Sequence, residues 1–150
     1  MKLFGTLSAA LLLVAGAALA ETAPDEVAFE EGQVAAALTE TAGDAAAGRD
    51  WFADRKLGNC LACHANGDLA ELPFHGEVGP PLDGVGSRWS KAELRAILID
   101  SKQVFGEGTI MPAFYRATGY NRILEDFEGK TILTAQQVED VLAYLQSLQD

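Results

Sequence analysis

Apolar residues recur at helical spacing in three stretches of the chain. Asp44 stands where a helix cap would. Ala45, Gly48, Trp51, Phe52 and Leu57 then follow at intervals that predict a helix, ended by Gly58-Asn59. Ser90-Lys91-Ala92-Glu93 has the capping-box pattern, in which a hydroxyl accepts from an early amide while a carboxylate reaches back. Leu94, Ile97 and Leu98 share one face of the helix that follows, and Gly106 and Gly108 end it. Thr134-Ala135-Gln136-Gln137 repeats the capping pattern. Behind it, Val138, Val141, Leu142, Leu145 and Leu148 form the apolar stripe of a third helix. No stretch alternates with the period of a strand, and no segment repeats. The pattern predicts an all-α fold with three main helices and long loops.

The connections carry their own signals. Residues 65–87 are dense in Gly and Pro, which predicts a wrapping loop. A second loop, after Gly106, holds Ile110-Met111-Pro112, and 114–133 contains one short helix around Ile123 to Phe127.

The N-terminal region has a different character. Residues 1–20 join Lys2 to an apolar run too short to span a bilayer comfortably, then Ala18-Leu19-Ala20. This is the pattern of a signal peptide cleaved after Ala20, and it fits better than an uncleaved anchor. The expectation is export to a bacterial periplasm, an oxidising compartment where free thiols tend to pair. Residues 21–42 form an acidic extension without a periodic core, expected to be flexible alone or laid against a partner. The globular domain spans 43–150, and no later segment is apolar enough to cross a membrane.

Composition narrows the function. Hydrophobic residues make up 49% of the 150, enough for a core, and the formal charge is −11. Loss of residues 1–20 removes one lysine and no acid, leaving −12. Such acidity disfavours nucleic acids and anionic membranes and suits partners with basic faces.

The chemistry lies in the scarce residues: two Cys, two His and two Met, one of them the initiator. Cys60-Leu61-Ala62-Cys63-His64 is the attachment sequence for a c-type haem. Thiols three positions apart on one helical turn each add to a vinyl group, and the adjacent imidazole reaches the iron. A thioredoxin-like C-x-x-C needs a βαβ context that is missing here. A structural disulfide would not require His64, and a zinc site lacks ligands.

Met111 is the candidate for the other axial position. It is the methionine left after signal cleavage, in a loop stiffened by Pro112 rather than on a helix face. Its thioether suits haem iron and raises the reduction potential. His75, 11 residues beyond His64, is the alternative. The Gly79-Pro80-Pro81 stretch can pass close to a haem edge and offer a carbonyl to His64 Nδ1–H. Arg88 or Trp89 can reach a propionate, or serve simply as surface charge and core.

With these residues in view, the chain resembles class I c-type cytochromes, and more closely the SoxX subunits of sulfur-oxidation (Sox) systems. The resemblance rests on Gly58 to His64, Gly79 to Arg88, Ile110-Met111-Pro112-Ala113-Phe114-Tyr115 and Leu133 to Val141, and covers most of 43–150. It implies the class I cytochrome c fold wrapped around one covalent haem c. It also implies a Pro80 carbonyl on the proximal His64, and Arg88 near a propionate. The implied partner is a SoxA-like cytochrome that hosts the chemistry, so no catalytic residue is expected on this chain. Together the two would couple thiosulfate oxidatively to a cysteine of a SoxYZ-like carrier, as an L-cysteine S-thiosulfotransferase. This chain would pass the electrons to a soluble acceptor. Two other readings use the same residues: a free-standing periplasmic electron shuttle, and a ligand sensor or peroxidase with an open iron.

Overall fold

A computed structural model describes residues 21–150. The expected signal peptide and its cleavage site lie outside the described residues. Among the described residues four helices form: α1 (Ala45–Ala53), a short α2 (Val85–Arg88), α3 (Lys91–Phe105) and α4 (Ala135–Ser147). Three single 3₁₀ turns, Cys60–Ala62, Gly67–Leu69 and Glu125–Phe127, punctuate the loops. Among the described residues, pairing of the β kind is limited to one bridge between Glu30 and Gln33. The architecture is the expected one of three main helices and long loops.

Local chemistry starts the helices where the pattern predicts. The Asp44 carboxylate accepts from the amides of Ala46 and Ala47, and both capping boxes close, Ser90 with Glu93 and Thr134 with Gln137. The end of α1 differs from expectation. It stops at Ala53, not near Leu57, because the Asp54 side chain accepts from Lys56 N at 2.8 Å. That turn also places the Asp54 carbonyl on the amides of Leu57 and Asn59. Asn59 then takes a left-handed conformation (φ 47°) that asparagine tolerates, and leads into the Cys60 turn.

α1 crosses α4 at close range. A Cβ on Gly48 would stand 1.9 Å from the Asp140 carbonyl oxygen, so only glycine fits there. Asp140 reinforces the crossing, accepting from Asp44 N at 2.9 Å and Trp51 Nε1 at 3.2 Å. Phe52 packs edge-on against Tyr144, with ring centroids 5.5 Å apart. A Gly48→Ala variant must push the helices apart and is expected to lose about 1–3 kcal/mol of stability, measured by urea unfolding.

The 21–42 segment is not loose. Val34 and Leu38 are buried in the core with Phe52, Leu69, Ile99 and Val138. Val34 N donates to the Ala92 carbonyl at 3.0 Å, and Leu38 N donates to Glu139 Oε1 at 3.0 Å. The segment is irregular yet seated on α3 and α4 of its own domain. It therefore changes α3, expected to bury one face: every residue from Leu94 to Ser101 is buried. α3 also breaks at Asp100, whose backbone is extended (φ −148°, ψ 93°).

Candidate haem-binding site

The 3₁₀ turn Cys60–Ala62 holds Cys60 and Cys63 on one face of the chain and delivers His64 immediately after. The turn closes through Cys63 N and His64 N, both donating to the Cys60 carbonyl at 3.1 and 3.0 Å. The two cysteines are not joined in a disulfide. Burial pushes the Cys60 thiol up to about 12.

His64 is oriented by the loop opposite. Its Nδ1 lies 2.8 Å from the Pro80 carbonyl oxygen, so this nitrogen donates and Nε2 is left to bind a metal. The backbone approaches the ring closely, since a Cβ on Gly79 would stand 2.3 Å from His64 Cε1. Gly79 N and Gly76 N donate to the carbonyls of Cys63 and Leu61, both at 2.7 Å, pinning the loop to the motif.

These residues open on one apolar cavity of about 580 Å³. Cys60, Cys63, His64 and Pro80 line it together with Leu94, Ile97 and Leu98 from α3 and Met111 and Phe114 from the following loop. The structure therefore brings together four of the sequence-predicted residues and the Pro80 carbonyl. Val78, Phe105 and Ile110, which line the same cavity, are strongly exposed at 62%, 48% and 78%. Helical periodicity does not mark this rim, because Val78 and Ile110 sit in loops.

Two predicted residues sit elsewhere. His75 has both ring nitrogens on the backbone of its own loop: Nδ1 accepts from Asn66 N at 3.3 Å and Nε2 donates to the Leu69 carbonyl at 3.1 Å. It is not a cavity residue. Arg88 is exposed, and its guanidinium donates to the carbonyls of Asp83 and Pro81. It braces the loop that carries Pro80, while its neighbour Trp89 lines the cavity.

A polar network steadies the wrapping loop from the other side. Asn66 Nδ2 donates to Tyr144 Oη at 2.9 Å, and that hydroxyl donates to Asp68 Oδ2 at 2.8 Å. Arg49 pairs with Asp68 and Glu71 and holds both carboxyls below their ordinary range, while burial first, then Asp68, raises the Tyr144 hydroxyl. The loop after the Cys-x-x-Cys-His turn is thereby tied to both α1 and α4.

The arrangement fits a covalently attached haem. Two thiols lie on one turn, an imidazole is oriented by a carbonyl, the walls are mostly apolar, and a side chain at Gly79 would obstruct the ring. The sequence pattern of the cytochrome c family matches residues 45–149.

The chain belongs to the cytochrome c family.

Membership implies covalent haem c. A solved structure described as SoxXA from P. pantotrophus contains a chain 46% identical to this cytochrome. The match covers 87% of this chain and 99% of that one, with a TM-score of 0.81. The expected likeness to SoxX therefore holds in sequence and in fold, and this is a SoxX-like electron-transfer cytochrome. No curated protein sequence gives a significant match. Among the described residues, no helix is long and apolar enough to cross a membrane.

Proposed function

We propose that this cytochrome is the electron-accepting subunit of a SoxAX-like heterodimer, exported to the periplasm after loss of residues 1–20. One haem c is attached through Cys60 and Cys63, since the chain has no other cysteine. His64 and Met111 would hold its iron. When bound, the haem supplies a one-electron iron couple. The convergence of Cys60, Cys63, His64 and Met111 on one cavity carries this reading.

Each residue has a distinct task. The Pro80 carbonyl keeps the His64 proton on Nδ1 and so keeps Nε2 available to iron. Met111 would supply a soft thioether donor, which favours the reduced metal. Arg88 braces the Pro80 loop with two of its N–H groups and keeps others for a propionate. With His64 and Met111 both holding the iron, the haem would supply electron transfer and no open site for substrate.

The SoxA-like partner hosts the reaction. There the sulfane sulfur of thiosulfate forms an S–S bond with a cysteine of a SoxYZ-like carrier, releasing one proton and two electrons. This chain relays those electrons one at a time to a soluble acceptor. The exposed apolar rim of Val78, Phe105 and Ile110 beside the cavity supports a lasting interface with such a partner.

Purification of the native protein at moderate salt is expected to yield a complex of two cytochromes, with one haem on this chain by mass and by pyridine haemochrome. A monomer with no co-eluting cytochrome, and electron-transfer rates that fall steeply with ionic strength, would establish the free-standing shuttle instead.

A further inference from the structure

The loop bearing Met111 docks into the break in α3, and we propose that Asp100, Ser101 and Lys102 form a clamp that positions Met111 for the iron. This rests on the reading of Met111 as axial ligand.

The break has an evident use. In a continuous helix the carbonyls of Leu98 and Ile99 would accept from amides four residues on. Here Asp100 is extended, and its own Oδ1 accepts from Lys102 N at 3.0 Å. The Leu98 and Ile99 carbonyls instead accept from Phe114 N at 3.2 Å and Tyr115 N at 3.0 Å. Arg116 reaches Asp100 Oδ2 at 3.4 Å, so the same carboxylate that restarts the helix also holds the outgoing chain.

The two residues after the break grip Met111 itself. Ser101, fully buried, places Oγ 2.7 Å from the Met111 carbonyl and 3.2 Å from that of Pro112, and its single proton is shared between them. Lys102 Nζ donates to the Met111 carbonyl at 2.8 Å and to the Thr109 carbonyl. A charged donor and a buried hydroxyl thus converge on the backbone oxygen of the ligand residue. Pro112 has no N–H, so the loop has little backbone bonding of its own at this point. The grip comes from α3, and swinging the sulfur off the iron requires breaking it.

A clamp predicts faster loss of the ligand, not simply lower stability. In the haem-loaded protein, imidazole is expected to displace Met111 from ferric iron about tenfold more readily when Ser101→Ala and Lys102→Met are combined, as loss of the two hydrogen bonds on the Met111 carbonyl implies. The readout is the sulfur–iron charge-transfer band during imidazole titration. Lys102→Met alone, at a partly exposed position, should give a smaller shift in the same direction, and Lys102→Arg should restore most of it. Unaltered imidazole affinity in both Lys102→Met and the double variant would overturn the clamp, even if urea unfolding showed a loss of stability. Met111→Ala is the control. If that variant kept the band, the ligand assignment itself would fall; if it lost the band while the clamp variants behaved as wild type, only the clamp would fall.

Discussion

A Met111→Ala variant is expected to lose the charge-transfer band of the ferric protein, to drop in reduction potential and to bind CO promptly in the ferrous state. On the proposed ligation the thioether is the soft donor that favours ferrous iron, so removing it shifts the couple toward the oxidised form. Alanine cannot take its place, and His75 cannot substitute without leaving its bonds to Asn66 and Leu69. The unaltered protein should resist CO at neutral pH, because the proposed ligation by His64 and Met111 leaves no open site on the iron. Absorption spectroscopy with a redox titration checks the band and the potential together. An unchanged spectrum would reject Met111 as ligand. Prompt CO binding by the unaltered protein would point to the open-iron reading, that of a sensor or peroxidase.

Arg95→Ala is expected to be the most damaging change away from the haem cavity. Arg95 and Glu139 are each 3% exposed and face each other in two bonds, Nε to Oε1 at 2.7 Å and Nη2 to Oε2 at 3.0 Å. Arg95 Nη1 also donates to the carbonyls of Val34 and Ala35, and Glu139 Oε1 accepts from Leu38 N. One buried pair therefore joins α3, α4 and the 21–42 segment. Alanine would leave the Glu139 charge unpaired and two carbonyls without their donor, at a cost of about 3–5 kcal/mol. Thermal unfolding should fall on the order of 10 °C. Limited proteolysis should cut near 34–42 sooner than elsewhere, because that is the segment released. Combining Arg95→Met with Glu139→Leu should recover part of the loss, since no buried charge is left, while the Val34 and Ala35 carbonyls and the Leu38 amide stay without their partners. If Arg95→Ala unfolded like the unaltered protein, the pair would be incidental to the packing of the segment.

These two residues differ in how visible they are before folding. Met111 stands out in the sequence because it is the lone methionine beyond residue 20 and is flanked by a helix-breaking proline. Arg95 sits in the periodic stretch Leu94 to Leu98 as an ordinary polar position. Its partner lies 44 residues away, and the peptide groups it anchors lie some 60 away. No periodicity reports such a pair. The same is true of Ser101 and Lys102, whose targets in the Met111 loop depend on where α3 breaks.

What the sequence determined by itself was everything encoded within a few residues. The spacing Cys60-x-x-Cys63-His64 places two thiols and an imidazole on a single turn, and Asp44, Ser90 and Thr134 start helices with their own side chains. These depend on contacts between near neighbours, which spacing alone specifies. Tertiary structure decided the rest. It seated an acidic, aperiodic segment on the core through Val34 and Leu38 and buried α3 on more than one face. It also broke that helix at Asp100 to hold the Met111 loop. The reason is that buried amides, carbonyls and charges must find partners wherever the chain happens to bring them, and those partners are distant in sequence.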